Sequence, residues 1–401
     1  MKKTYILLIL FFISCQPKED MNILEKIISE NKEQLGAPAE DPEKFELQII
    51  YTQIDRDANN VPTFTSHKFN VDKNQYFYPA STVKMPTAIL TLEKLKQIDI
   101  SRTHPFQIDS IRPPQRPLDA DSTAENGLPS MGHFVKKIFI VSDNDAHNRM
   151  YEFLGQEYLN ETLRKKGFEN TKIIHRIGPS GFPFDHEANK YTNPYKLIGE
   201  DNEILYEQDE LYALYDDYPV VSGTEKGIGY YDSRRDTIIN EPFDFSNKNF
   251  INLSELESSL RRVIYPKLFK DSEQFKFSSD QRDFLLSTMK KTPDQYEYHR
   301  GHEEYYDSYV KFFMFGDSKD SIPNHIEISN KVGWAYGYLT DCAYIRDTEN
   351  NIDFFLTATI HVNRNSIYND GIYEYESIGL PFLAELGRLI YRYELSKKDN
   401  S

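Results

Sequence analysis

The chain is poor in cysteine, with Cys15 and Cys342 the only two in 401 residues. At most one disulfide can form, which excludes a small disulfide-stapled scaffold. No cluster of cysteine and histidine has zinc-site spacing, and no glycine-rich phosphate loop occurs, so neither a metal nor a cofactor is expected. Basic tracts are missing too. Against 63 acidic side chains stand 47 basic ones, and a net charge of −16 repels nucleic acid and anionic membrane surfaces. The apolar run from Tyr5 to Ile13 is too short for a permanent membrane-spanning helix. What is present is globular: 39% hydrophobic and 14% aromatic residues, in a length that supports one large domain or two ordinary ones.

The apolar run follows Lys2 and Lys3 and leads into Ser14-Cys15. A basic start, a short apolar core and small residues before a cut read as a secretory signal. Phe12-Ile13-Ser14-Cys15 resembles a bacterial lipobox, with Phe12 and Ile13 looser than the usual leucine and small residue. The resemblance implies removal of residues 1–14 and lipidation of Cys15, with 15–21 as a tether. It implies an exported protein held by lipid to a bacterial membrane, facing the periplasm. Lys18-Glu19-Asp20 resembles lipoprotein surface-export signals of some Gram-negative bacteria, which would place it on the cell surface. The plainer alternative is a soluble secreted protein with an incidental cysteine.

Residues Asn22 to Leu35 have helical spacing with Gly36 as a stop. Phe45 to Ile54 and Thr63 to Val71 read as strands around a polar turn. Helical spacing then covers Thr82 to Ile98, His133 to Phe153, Thr192 to Tyr218, Leu253 to Phe269 and, behind a serine cap, Ser278 to Lys291. Strands return at Lys331 to Arg346 and Ile352 to Val362, before a last helix from about Leu380 to Leu395. Segregated strands and helices predict an α+β fold with an antiparallel sheet. One domain over 22–395 is expected, with its sheet from 45–71 and 331–362 and a helical part over 82–325. The polar, aromatic segments 219–250 and 292–327 read as insertions or lids, or as plain surface loop.

Ser-x-x-Lys occurs four times, at Ser29, Ser81, Ser287 and Ser308, so alone it says little. At Ser81 it has company. Ser142-Asp143-Asn144 is the only Ser-Asp-Asn in the chain, and Lys331-Val332-Gly333 opens a predicted strand. A serine hydroxyl needs a neighbour to take its proton before it can attack a carbonyl. On a helix, residues i and i+3 share a face, so Ser81 and Lys84 can meet. A buried lysine at a helix N-terminus loses charge and becomes a base. The bland alternative makes Ser81 and Ser142 helix caps and Lys331 a surface residue.

The set resembles the penicillin-recognising serine hydrolases, and above all class A β-lactamases, whose Ser-x-x-Lys, Ser-Asp-Asn and Lys-Thr-Gly motifs run in this order. Ser142 to Asn148 with Leu154-Gly155, and Lys331 to Gly337 with Asp341 and Ala343, extend the resemblance to about residues 22–395. It implies a sheet flanked by terminal helices, with an all-helical subdomain beside it. It implies an acyl-enzyme on Ser81 with Lys84 as base and Ser142 relaying a proton to the leaving nitrogen. Asn144 would hold a substrate amide, and Lys331 would face a substrate carboxylate. Gly333 would belong to the substrate-binding strand, with the backbone N–H groups of Ser81 and Trp334 forming the oxyanion hole.

Three departures bear on function. Val332 replaces the threonine whose hydroxyl helps bind the substrate carboxylate. No arginine lies near the start of strand 352–362, Arg346 being the nearest. The family's Glu-x-x-Leu-Asn pentapeptide, whose glutamate activates the deacylating water, is missing between Asn170 and Pro194. Asp185 and Glu187, in Asp185-His186-Glu187-Ala188-Asn189, are the candidates for that base, or else exposed loop carboxylates. The expected protein is a monomeric β-lactamase acting on a small β-lactam. The rivals are a penicillin-binding or peptidoglycan-peptide peptidase, another amide or ester hydrolase, and a non-catalytic binding lipoprotein of the same fold.

Overall fold

A computed structural model of the protein describes residues 22–112, 116–178, 186–296 and 303–399. The signal segment, Cys15, Lys18-Glu19-Asp20 and Asp185 lie outside the described residues. Among the described residues no helix is long and apolar enough to cross a membrane.

The frame is one sheet of five strands: β1 (Gln48–Arg56), β2 (Pro62–Phe69), β3 (Ile326–Ala335), β4 (Tyr338–Asp347) and β5 (Ile352–His361). Their spatial order is β3-β4-β5-β1-β2, with every pairing antiparallel. Two segments far apart in sequence are joined where Gln48 faces Thr359. Strand β5, Ile-Asp-Phe-Phe-Leu-Thr-Ala-Thr-Ile-His, is buried along nearly its whole length. A continuous run of this kind marks a strand covered on both faces. On one face lie the terminal helices α1 (Ile23–Glu30) and α8 (Leu380–Asp399), which pack Leu24, Leu383 and Ile390 with Ile49, Phe354 and Leu356.

The other face carries the helical part: α2 (Lys84–Gln97), α3 (Met131–Ile140), α4 (Asn144–Leu154), α5 (Gln156–Lys165), α6 (Leu253–Ile264) and α7 (Ser279–Met289). Leu256, Leu260 and Val263 of α6 share one core with Cys342 and Phe355 of the sheet. Residues 84 to 95 of α2 are all buried, so this helix runs through the interior instead of over the surface. The architecture is α+β, as the segregated strands and helices predict.

Several elements differ from their sequence-based outlines. The single strand expected over Lys331 to Arg346 is a hairpin. Tyr336 at φ +54° and Gly337 at φ +82° form the two-residue turn between β3 and β4, and only residues tolerating positive φ fit there. The helix expected over His133 to Phe153 is two helices, broken at Val141-Ser142-Asp143. Asp143 accepts from Ala146 N–H and caps α4, while Ser142 is turned into the left-handed region at φ +56°. Thr192 to Tyr218 is not helical. Tyr195–Ile198 pairs with Phe106–Ile108 and with Ile204–Gln208, because its aromatic and branched side chains satisfy a half-buried pleat better than a helix face. Helix α6 stops at Ile264, before Pro266 can interrupt it. Segment 219–250 is ordered, and its Gly229–Asp232 strand pairs in parallel with Ile367–Tyr368 beyond β5.

A buried ion pair ties α4 to the segment that closes the helical part. Arg176 Nε donates to Glu152 Oε1 at 2.8 Å, and Asn193 N–H donates to Glu152 Oε2 at 2.7 Å. Both charged side chains are almost fully buried, Arg176 at 1% exposure and Glu152 at 0%. Arg176→Met strands the carboxylate and is expected to lower the unfolding free energy by about 3–5 kcal/mol. A denaturant titration showing a loss below about 1 kcal/mol contradicts this account.

Candidate active site

The 3-10 turn Ala80–Val83 runs directly into α2. It places Ser81 at the helix entrance and Lys84 at its first residue. Ala80 takes φ +46°, a conformation that costs a non-glycine residue of order 1–3 kcal/mol and persists only where the surroundings impose it. Ser142 bears the same kind of strain in the break between α3 and α4. Strand β3, the sheet edge, lies against the turn at Gly333. A Cβ on Gly333 would stand 2.6 Å from Pro79 O and 2.8 Å from Ser81 N, so only glycine lets the strand come this close.

Two lysines meet at one hydroxyl. Lys84 Nζ donates to the backbone oxygen of Ser142, to Ser142 Oγ at 3.3 Å and to Asn144 Oδ1 at 2.6 Å. Lys331 Nζ donates to the same Ser142 Oγ at 2.9 Å and to Val332 O at 2.7 Å. Both lysines are buried. Burial pulls the Lys84 pKa down to about 7, against the opposing charge of Asp143. Lys331 is held well below its ordinary value by burial and then by Lys84, with Asp341 opposing. Below them, Lys311 donates to the carbonyls of Met289 and Ile328 and to Asn330 Oδ1, and Asn330 Nδ2 donates to Asp341 Oδ1. This buried network fixes β3 from underneath.

Above the lysines opens a cavity of about 460 Å³, lined among others by Ser81, Ser142, Asn144, Gly333 and Trp334. The structure thus gathers Ser81, Lys84, Ser142, Asn144, Lys331, Gly333 and Trp334 in one place. Glu187 is elsewhere. It sits at 54% exposure in the helical turn His186–Lys190, where its carboxylate accepts from Tyr212 Oη at 2.9 Å and pairs with Lys190 at 3.5 Å. It does not line the cavity, and its expected role as deacylating base finds no geometric support. Arg346 is turned to Glu327 at 3.9 Å, also away from the cavity. Val332 is 4% exposed and packs into the core on the terminal-helix side.

No motif announces the cavity floor. Asn148 brackets the backbone of Ile177, accepting from its N–H at 2.8 Å and donating to its carbonyl at 2.9 Å. Next to it, a Cβ on Gly178 would come within 2.8 Å of Asn144 Nδ2. An apolar side chain and a bare glycine therefore stand beside Asn144, and no described lining residue carries a carboxylate. Tyr78, His175, Tyr309 and Tyr373 add rings to the wall. Of these four, only Tyr78 adjoins one of the three motifs that meet here.

Gly333→Ala is expected to push β3 off the Ser81 turn. Overpacking of this kind costs about 1–3 kcal/mol, which a denaturant titration of the variant should show. Unchanged stability would mean that the turn tolerates a wider separation.

The model of a family described as the β-lactamase enzyme family matches residues 42–203, the stretch that carries Ser81, Lys84 and Ser142 to Asn144. Among solved structures, the chain is similar to the class A β-lactamase of the last common ancestor of Gram-negative bacteria, with 14% identity and a TM-score of 0.47 over 91% of this chain and 98% of that one. It is similar to the β-lactamase from Sphaerobacter thermophilus, with 10% identity and a TM-score of 0.48 over 92% and 97%. A β-lactamase from Xanthomonas campestris pv. campestris shows 13% identity and a TM-score of 0.46 over 92% and 98%. No curated protein matches the sequence. The likeness to the β-lactamase enzyme family thus runs over residues 42–203, about two fifths of the chain.

Proposed function

We propose that the protein is a serine hydrolase of the class A β-lactamase type that forms an acyl-enzyme on Ser81, with a β-lactam amide as its substrate. The observation that carries this reading is the convergence of Lys84 and Lys331 on Ser142 beside Ser81. A neutral Lys84 accepts the Ser81 proton as Oγ attacks the carbonyl carbon. The N–H groups of Ser81 and Trp334 stabilise the oxyanion. As the C–N bond breaks, Ser142 passes a proton to the leaving nitrogen and is resupplied from the lysines. Asn144 orients the substrate amide. The signal and lipobox resemblance support action outside the cytoplasm, from a lipid anchor at Cys15.

A second reading rests on the cavity floor. With Ile177 and Gly178 beside Asn144 and no described carboxylate in the lining, the groups for acylation are in place without a described group for deacylation. That favours a penicillin-binding protein or a peptidase of peptidoglycan-like peptides, in which the acyl-enzyme persists. Asp185 is the one sequence candidate for the missing base that the geometry leaves open.

Intact mass measured against time with a penicillin separates the readings. A brief adduct with loss of drug supports the β-lactamase. A lasting adduct mapped to Ser81 supports the slow acyl-enzyme. No adduct and no loss of drug rejects both. Because Lys84 is an ammonium below about pH 7 and neutral above it, acylation should fall about tenfold per unit below that point and level off above it. A profile flat through pH 7 would remove Lys84 as base. Lys84→Met should cut adduct formation by about a hundredfold or more, which the same mass measurement reads directly.

A further inference from the structure

Trp334 and Tyr373 line a second cavity as well as the first. It has a volume of about 560 Å³, and its wall includes Tyr306, Tyr375 and Glu376. The two cavities therefore meet at these two rings. We infer that this second cavity binds a cationic group, an alkylammonium or ammonium, carried by the substrate of the Ser81 site. The substrate half of the inference rests on the reading of Ser81 as nucleophile.

The rings are held in place before any ligand arrives. Gly337 N–H donates to Tyr375 Oη at 2.8 Å, and Asn369 N–H donates to Tyr373 Oη at 2.9 Å. Each hydroxyl accepts one backbone N–H, which pins the ring, and keeps its O–H to donate. Tyr373 and Tyr375 lie against each other with centroids 5.3 Å apart. Trp334 stacks on Phe312 at 5.5 Å and 12°, which fixes the indole while leaving it 40% exposed. A large exposed aromatic on a rigid support is costly to leave in water and is a ready contact surface.

Charge decides between occupants. Among the described lining residues the only ionisable side chain besides the tyrosines is Glu376, and none is Lys or Arg. Glu376 is exposed and lines the same cavity as Tyr306. Aromatic faces with one carboxylate and no cation attract positive charge through the ring quadrupoles and directly. The chain's net charge of −16 adds to that field. The protein's own Lys319 already lies 5.1 Å over Tyr306. Trp334 and Tyr375 stack on each other at 6.4 Å, and the exposed part of the indole, Tyr373 and Glu376 are what a ligand meets. A substrate spanning both cavities would place its scissile carbonyl at Ser81 and its cation beyond Trp334.

Trp334 is the only tryptophan in the chain, so its fluorescence reports on the junction of the two cavities, and Glu376→Gln assigns the change to the second. The experiment titrates tetramethylammonium into the purified protein, with tert-butanol as the neutral isostere and N-acetylglucosamine as a ring-stacking ligand. A saturable change with tetramethylammonium only, in the protein and in Ser81→Ala alike, is the expected result. In Glu376→Gln its midpoint should rise about threefold to fivefold, the range for one exposed charge pair. No saturation, an unchanged midpoint in Glu376→Gln, or saturation by tert-butanol or N-acetylglucosamine overturns the inference. Adduct formation at Ser81 is followed separately. An adduct without tetramethylammonium saturation removes the cation site and keeps the hydrolase. Saturation without any adduct supports the cation site and removes its tie to the reaction.

Discussion

The site depends on the burial of two ammonium groups around one hydroxyl. Lys84 and Lys331 both reach Ser142 Oγ, and neither has a carboxylate as hydrogen-bond partner there. In water such a pair would simply stay charged. Out of water the cost of an unpaired charge exceeds what Asp143 and Asp341 return, so both lysines are pulled toward the neutral form. Everything nearby serves that burial. Strand β3 must touch the Ser81 turn, which is why Gly333 has no side chain. The α3–α4 break must push Ser142 inward, which is why a serine accepts a left-handed backbone. The Lys311, Asn330 and Asp341 network anchors the strand from below, with its own lysine pulled down to about 7 by the same burial.

How much of this was legible in the sequence follows from what each signal measures. Short motifs name side chains whose chemistry is rare in combination, and the seven residues from Ser81 to Trp334 that they pick out do meet in the fold. The α+β class was readable for a related reason, since segregated periodicities survive substitution. Strain was not readable. Nothing in Val141-Ser142-Asp143 announces a positive φ, and helical spacing runs straight across it. The Tyr336-Gly337 turn was hidden because both flanks are strand-forming, and a hairpin has the same composition as a long strand. Thr192 to Tyr218 failed because its apolar residues fit either period and the tertiary partner Phe106–Ile108 decided between them.

The cavity floor and the aromatic wall were illegible for a different reason. Ile177 and Gly178 matter through what they are not. An apolar residue beside Asn144 looks like any core residue until the backbone clamp of Asn148 shows where it stands. Tyr373 and Tyr375 lie beyond the last strand, in a segment without a motif. Their role comes from two backbone N–H groups that pin their hydroxyls. Glu187 shows the converse, a carboxylate in the expected stretch of sequence that suggests a base. For Glu187, an exposed helical turn with Tyr212 and Lys190 as partners accounts for the residue without catalysis.

The strand order has a consequence for when the site is complete. Ser81 and Lys84 are followed by about 250 residues before Lys331 and Gly333 supply the other wall. Pairing of β1 with β5 closes the frame only when that distant segment arrives, and contacts of such separation form slowly. The site is therefore a property of the finished sheet: until β3 arrives, Lys84 lacks the strand that helps bury it.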